Sequence, residues 1–403
     1  MKVRLSDSNI FKFLLFLFIM WGNVIIGIKW IDPVLAVMNK VSRVTMISII
    51  ALIGLLIIKR SKGTHKNSLI RDYISLVVVV IVYLITGENT LVFTIGLIVA
   101  AKGVNFEETY LIYFKAQLLA LLISVFTCYL GLSQNIVSYF SYGVGYSWGM
   151  HHANNLAFMV ASLYFAFSYL FIRERRIVQF ILAVVLIAIV WKITVCRTVC
   201  ALIALYPIIN LFVQLSRKTG SSKILKYLKQ FVLVMAILSI VISVFYVQIN
   251  GGLNYEGTFQ SRFVFGYKLL HKYGVHLFGS QIEYIGTYEA RKLGIETVLL
   301  DNAYLTLIIN YGILATIIMV YILLRNMSKA YREKNFDMLT IMLIYVISGI
   351  SENGMLTVIG NVSLLYFYCN TNSNYLVNKR NQRVPVPLQA QLFRGVAKKY
   401  ERN

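Results

Sequence analysis

Apolar runs that suit membrane-crossing helices recur along the whole chain, and short blocks of lysine and arginine separate them. A helix needs about 20 residues to span the roughly 30 Å of hydrocarbon in a bilayer. The runs lie at Phe11–Ile28, Val41–Ile58, Tyr73–Thr86, Thr90–Ala101, Tyr110–Tyr129, Asn155–Ile172, Ile177–Trp191, Thr198–Val213, Phe231–Val247, Leu299–Leu324, Leu339–Ile350 and Met355–Tyr368. They mix Leu, Ile, Val, Phe and Tyr without the two-residue alternation of outer-membrane barrel strands, so they read as helices. A soluble globule needs far more surface charge than this chain offers, with 14% charged against 58% hydrophobic residues. The expected fold class is all-α: a polytopic helical membrane protein with about twelve transmembrane helices. Three hairpins carry weak signals, around Gly87–Asn89, Lys192–Arg197 and Ser351–Gly354, because segments flanking them are short. Loss of a whole hairpin removes two crossings and leaves the sidedness of the other loops unchanged.

The formal net charge is +23, and its placement decides what it means. Lys59, Arg60, Lys62, Lys66 and Arg71 share one loop; Arg173, Arg175 and Arg176 share another. Arg217, Lys218, Lys223, Lys226 and Lys229 follow, then Arg325, Lys329, Arg332 and Lys334. A last group, from Lys379 to Arg402, forms a basic tail. With twelve crossings all of these fall on the side of the N-terminus, which the positive-inside rule makes cytoplasmic. The opposite loops are poor in positive charge, apart from Lys29, Lys40 and Arg43 and one long loop. Basic blocks confined to one side speak for membrane orientation and against a nucleic-acid partner. The first run follows Lys2, Arg4 and Lys12 but lacks an Ala-x-Ala cleavage pattern, so a retained helix is expected rather than a removed signal. Cys128, Cys196, Cys200 and Cys369 form neither a disulfide framework nor a zinc spacing, and no metal or cofactor is expected.

The expected organisation is a helical transmembrane domain over residues 1–369 and a basic cytoplasmic tail over 370–403. The long outer loop, 248–298, carries Glu256, Glu283, Glu289 and Glu296 with Arg262, Lys268, Lys272, Arg291 and Lys292. Its stretch Gln260–Tyr273 alternates apolar and cationic residues at near-helical spacing, which suits an interfacial helix. A second outer segment, Gly131–Met150, has no charge and is rich in Gly, Ser and Tyr. Polar or ionisable groups stand at four outer positions: His151, His152 and Asn154; Lys192 and Arg197; Arg262; and Asp301 with Asn302. Ionisable groups at membrane depth are expensive and tend to mark a working cavity.

Four elements in order resemble the bacterial O-antigen polymerase and ligase superfamily, the Wzy/WaaL type. Gly-Met-His-His-Ala-Asn-Asn (149–155) opens a helix and is similar to a G-x-x-H-x-N element. Cys-Arg-Thr (196–198) resembles a Ser-Arg-Thr element at a helix start. Gln-Ser-Arg-Phe-x-x-x-Tyr (260–267), followed by Leu-Phe-Gly-Ser (277–280), resembles the family's loop arginine and downstream glycine segment. Asp-Asn-Ala-Tyr-Leu (301–305) with Tyr-Gly-Ile (311–313) resembles the element after the loop. Cys196 replaces the commoner Ser, Phe-Gly-Ser replaces a Gly-x-Gly, and Asp301 stands where ligases carry His, which leans toward a polymerase.

The resemblance implies an inverting glycosyltransferase in the bacterial inner membrane that joins oligosaccharide repeat units carried on undecaprenyl diphosphate. It implies membrane lipids, a flippase and a chain-length regulator as partners. The leaving diphosphate needs charge neutralisation, which suits Arg197 and Arg262 because a guanidinium binds phosphate oxygens bidentately. The attacking sugar hydroxyl needs a base or an orienting acceptor, and His152 and Asp301 are the catalytic candidates. His151, Asn154 and Asn302 are candidates for holding sugar or orienting the base. Structural roles compete at each position. Arg197 also suits a snorkelling cation, Arg262 a loop cation facing anionic lipid, and Asp301 with Asn302 a helix N-cap. His151 also suits packing, and Lys192 a membrane-edge cation. An O-antigen-type ligase and a flippase or transporter of lipid-linked sugar are the alternative functions.

Overall fold

The computed structural model describes residues 6–61, 66–140, 142–217, 222–249, 258–286, 290, 293–295 and 297–371. The basic tail Lys379–Arg402 lies outside the described residues, as do Glu256, Glu289, Arg291, Lys292 and Glu296 of the long loop.

The chain is mostly helical, in the order α1 (Asp7–Ile26), α2 (Asp32–Ser61), α3 (Lys66–Thr86), α4 (Thr90–Ala100), α5 (Phe106–Tyr129), a β1–β2 hairpin (Val137–Phe140 and Gly143–Tyr146) and α6 (Ala153–Phe171). Then come α7 (Arg176–Thr194), α8 (Arg197–Arg217), α9 (Ser222–Ile249), α10 (Thr258–Tyr273), α11 (Ala303–Arg332) and α12 (Phe336–Ser348). Among the described residues eight helices are long and apolar enough to cross a membrane: α1, α2, α3, α5, α6, α7, α8 and α11. Polar residues cap them locally. Ser6, Asn105 and Asn335 accept backbone N–H bonds at the starts of α1, α5 and α12, satisfying donors that a helix start leaves open. Lys59 and Arg60 close α2, and Lys329 and Arg332 close α11, where cations favour the negative helix end.

Two of the shorter apolar helices, α4 and α12, are almost wholly buried, while α2 and α7 expose long rows of Ile, Leu and Val. That division is physical. Lipid tails solvate an apolar face as well as a protein core does, so outer helices stay apolar outside.

Cross-links define the two ends of the bundle. At one end Lys59 pairs with Asp7 at 3.2 Å, Lys102 with Asp72 at 3.3 Å, and Arg173 with Asp337 at 2.7 Å. Tyr366 and Cys369 join this end through Glu333 and Lys329. At the other end Lys29 N donates to Gly149 O at 2.7 Å, and Trp30 bridges Ser133. The described basic blocks at Lys59–Arg60, Arg173–Arg176 and Lys329–Lys334 share the first end.

Two segments differ from the expectation. Met355–Tyr368, expected as a helix, forms two 3-10 turns, Asn353–Leu356 and Val362–Phe367. The chain folds back tightly between them: a Cβ on Gly360 would meet the Gly354 carbonyl at 2.4 Å, and Asn361 Nδ2 donates to Met355 O. Gly131–Met150, for which no element was expected, contains an antiparallel hairpin. Its glycines explain the packing: Gly145 and Gly143 lie flat against Thr194 and Val195 at the α7–α8 corner, leaving no room for larger side chains. Tyr139 and Tyr146 point outward from the other face.

Candidate functional site

The stretch expected to form an interfacial helix is helical, as α10, and it carries Arg262 into a cluster rather than out to solvent. Arg262 Nη2 donates to Glu352 Oε1 at 3.1 Å, with both side chains largely buried. Glu352 stands in the turn after α12. Burial pushes its carboxyl up to about 8; Arg262 opposes that shift and Asp301 adds to it. Asp301, just before α11, is raised as well, first by burial, with Arg262 and His152 pulling it back. His152 is lowered by burial, with Asp301 opposing. These mutual effects join Arg262, Glu352, Asp301 and His152 into one electrostatic group, drawn from four separated segments.

The local structure assigns chemistry to each member. His152 is the N-cap of α6, and its Nδ1 accepts the Asn154 backbone N–H at 3.1 Å. A neutral imidazole accepting at Nδ1 carries its proton on Nε2, which makes that nitrogen the ring's donor. Asp301 and Glu352 are the carboxyl groups of the cluster. Cys196 lies against the pair: Glu352 and Arg262 both act on its thiol, which burial pushes up to about 12. A buried neutral thiol of this kind is packing, not a nucleophile.

The remaining expected residues sit elsewhere or do other work. Arg197 opens α8, is exposed, and stacks over the Tyr142 ring at 3.4 Å. Tyr142 in turn stacks with Phe140 and Trp191, so this arginine belongs to the hairpin corner. Asn302 is fully buried, and its side chain is engaged at both ends. Its Oδ1 accepts from Tyr304 N and Leu305 N, and its Nδ2 donates to Ser239 Oγ at 2.5 Å. It is a helix cap tying α11 to α9. His151 is exposed beside Lys29, and its backbone N–H donates to Gly27 O. Burial first and Lys29 second lower its pKa. Asn154 is half-buried in the first turn of α6, and Lys192 is exposed in the last turn of α7.

A glycine crossing ties the segment after α10 to α11. Gly279 and Gly312 have φ of 84° and 83°, and their backbones touch: a Cβ on Gly312 would lie 2.2 Å from Gly279 N. Ser280 N donates to Ile309 O at 3.0 Å and Ile313 N to His276 O at 3.1 Å across it. The Leu-Phe-Gly-Ser segment is thereby locked against α11 where Thr306–Tyr311 winds as a π-helix. Asn353, next to Glu352, donates to Leu300 O at 2.6 Å and accepts from Thr306 Oγ1.

Glu352 was not among the residues singled out from sequence. A signal was present: from residue 338 to 378 it is the only charged residue. An isolated ionisable group in so apolar a stretch is expensive without a partner, and that cost points to one.

No protein-family model, curated protein or solved structure matches this chain. The fold and the grouped ionisable residues define its class: a multi-pass helical membrane protein with a buried polar cluster at the end opposite its described basic blocks.

Proposed function

We propose that this protein is a polymerase that joins undecaprenyl diphosphate-linked oligosaccharide repeat units at the outer face of the bacterial inner membrane. In this reading the chain crosses the membrane twelve times, with α4, α9, α12 and the segment after Glu352 completing the set, and both termini are cytoplasmic. The observation that carries the reading is the joining of Arg262 to Glu352, with Asp301 and His152 beside them, at the end away from the described basic blocks. The order of the motif residues along the chain supports it further.

The reaction needs an acceptor hydroxyl, a donor anomeric carbon and a diphosphate leaving group. The hydroxyl oxygen bonds to the anomeric carbon from the face opposite the diphosphate, whose C–O bond breaks, giving inversion. The hydroxyl proton passes to the Asp301 carboxylate. Arg262 turns its guanidinium from Glu352 to the departing phosphate oxygens, and the His152 Nε2–H donates to the same group. Such placed donors act on charge that develops in the transition state. A protonated Glu352 releases Arg262 without leaving a buried bare carboxylate.

The test is reconstitution. Purified protein in liposomes, given lipid diphosphate-linked repeat units and no ion gradient, is expected to lengthen the glycan. Arg262→Ala is expected to slow this by roughly 10²–10³-fold. Movement of intact substrate across the bilayer without lengthening overturns the polymerase reading in favour of transport. Transfer only to a non-lipid-diphosphate acceptor selects the ligase.

A further inference from the structure

The polar cluster continues past Asp301 to a carboxylate that the proposed chemistry does not use. Glu88 stands in the α3–α4 turn, which Gly87 opens with a φ of 76°. Its backbone N–H donates to Thr86 Oγ1 at 3.2 Å inside the turn. Burial raises the Glu88 carboxyl. Thr90, the first residue of α4, is hydrogen-bonded to the Tyr311 phenol, and Glu88 acts on the same phenol. The turn is thereby pinned to the π-helical stretch of α11.

Tyr284 connects this turn to Asp301. It lies in the loop after α10, where Ile285 and Val298 exchange N–H bonds at 2.9 and 3.0 Å. That bridge leaves Leu299 and Leu300 before Asp301, and Leu300 buries with Ile282 in one apolar cluster. Burial raises the Tyr284 phenol, and Tyr311, Glu88 and Asp301 add to that in this order. One phenol therefore lies within electrostatic reach of both carboxylates.

These groups share a second property. The side chains of Glu88, Asn89, Tyr284 and Asp301 make no hydrogen bond or ion pair to another described residue, and each is partly exposed. A half-covered carboxylate without a donor is costly, and a ligand that brings donors answers it. The set suits a sugar ring. Carboxylates and an amide oxygen accept from neighbouring hydroxyls, the amide N–H and the phenol donate, and the tyrosine ring offers an apolar face to ring C–H groups. A metal ion suits it less, because among the described residues no three or more His, Cys, Asp or Glu gather as an ion would require.

We propose that Glu88, Asn89 and Tyr284 form the subsite for the acceptor sugar and hold its ring so that one hydroxyl meets Asp301. The inference rests on the polymerase reading, in which Asp301 receives the proton of that hydroxyl. It adds the groups that fix the sugar there, from the α3–α4 turn and the loop after α10.

The test uses the lipid diphosphate-linked repeat unit purified from cells that carry the protein, and the oligosaccharide that mild acid releases from it. Saturation-transfer NMR on the full chain in detergent reads the Kd of the free oligosaccharide, and lengthening in liposomes reads kcat and KM. Glu88→Gln is expected to raise Kd and KM about tenfold, the size of one charge-assisted hydrogen bond, with kcat within about threefold of wild type. Tyr284→Phe keeps the ring, loses the hydroxyl and is expected to raise Kd about threefold, which keeps the proposal testable if E88Q does not fold. Glu283→Gln removes the same charge from the exposed neighbour of Tyr284 and is expected to match wild type. An unchanged Kd in E88Q and Y284F, a fall in kcat at constant KM, or an equal effect of E283Q overturns the subsite. Wild-type protein that binds the oligosaccharide but lengthens nothing overturns the polymerase reading, and the dependence of that binding on Glu88 still decides the subsite.

Discussion

Arg262 and Glu352 lie 90 positions apart in sequence, yet their side chains meet at 3.1 Å in a largely buried contact. The contact ties α10 to the turn after α12. Removing one partner leaves the other buried and uncompensated, whereas removing both removes the conflict. At pH 9, where Glu352 is ionised, Arg262→Gln is expected to destabilise, and the double variant by less than the sum of the two single-variant effects. A coupling of roughly 0.5–3 kcal/mol is expected from the double-mutant cycle in thermal unfolding. Simple additivity would show that the contact carries no energy.

Glu352 also sets a pH dependence. Its carboxyl is raised from 4.5 to about 8 by burial, so the folded state holds the proton more tightly than the unfolded state. The resulting stabilisation is complete below about 4.5 and is lost as pH rises through about 8. Melting temperature is expected to fall between pH 5 and pH 8.5, and Glu352→Gln is expected to flatten that slope. An unchanged slope in E352Q would assign the titration to another group.

The crossing of Gly279 and Gly312 tolerates no side chain. A Cβ at position 279 would sit 2.0 Å from the Asn310 carbonyl oxygen, and both residues occupy positive φ. Steric overlap and left-handed backbone act together at each position. Gly279→Ala and Gly312→Ala are each expected to reduce folded protein severely. Gly286, whose Cβ would meet nothing within 4 Å, is the control, and its alanine variant is expected to accumulate normally.

Asp337 is the hub of the opposite end. It is 3% exposed and accepts from Arg173 at 2.7 Å, Arg176 at 3.3 Å and Asn210 at 3.1 Å, joining the α6–α7 turn, α7, α8 and α12. Asp337→Asn keeps the shape and removes the charge that answers two arginines. A loss of about 3 kcal/mol or more is expected, read as a lower melting temperature in detergent. Arg175→Gln, at an exposed position outside the network, is expected to change little.

Sidedness is open to a direct chemical test. Tyr139 is 81% exposed on the hairpin, and Glu174 is exposed in the α6–α7 turn. In intact cells a membrane-impermeant maleimide is expected to label Tyr139→Cys but not Glu174→Cys, and to label both after permeabilisation. The reverse pattern would invert the proposed orientation.

The helical, membrane-crossing character of the chain was legible in sequence because it rests on local quantities. Run length, apolar content and the spacing of basic blocks are read one segment at a time, and α1, α2, α3, α5, α6, α7, α8 and α11 all lie where such runs were seen. The same local reading went astray at 355–368, where Gly354, Gly360 and Asn361 turn an apolar run into two 3-10 turns. It also went no further than loop for the β1–β2 hairpin, whose register depends on glycines fitting the α7–α8 corner.

What the sequence determined by itself was that these segments leave water, since hydrophobic transfer needs no partner to be counted. Which polar residues meet was decided only by tertiary structure. Asn302 became a cap bonded to Ser239, Arg197 stacked on Tyr142, and Arg262 found Glu352, a residue with no local sign of its role beyond its isolation. The reason is that burying a charge is costly unless another group answers it. The answering group is fixed by how helices pack, which brings together positions that lie far apart along the chain.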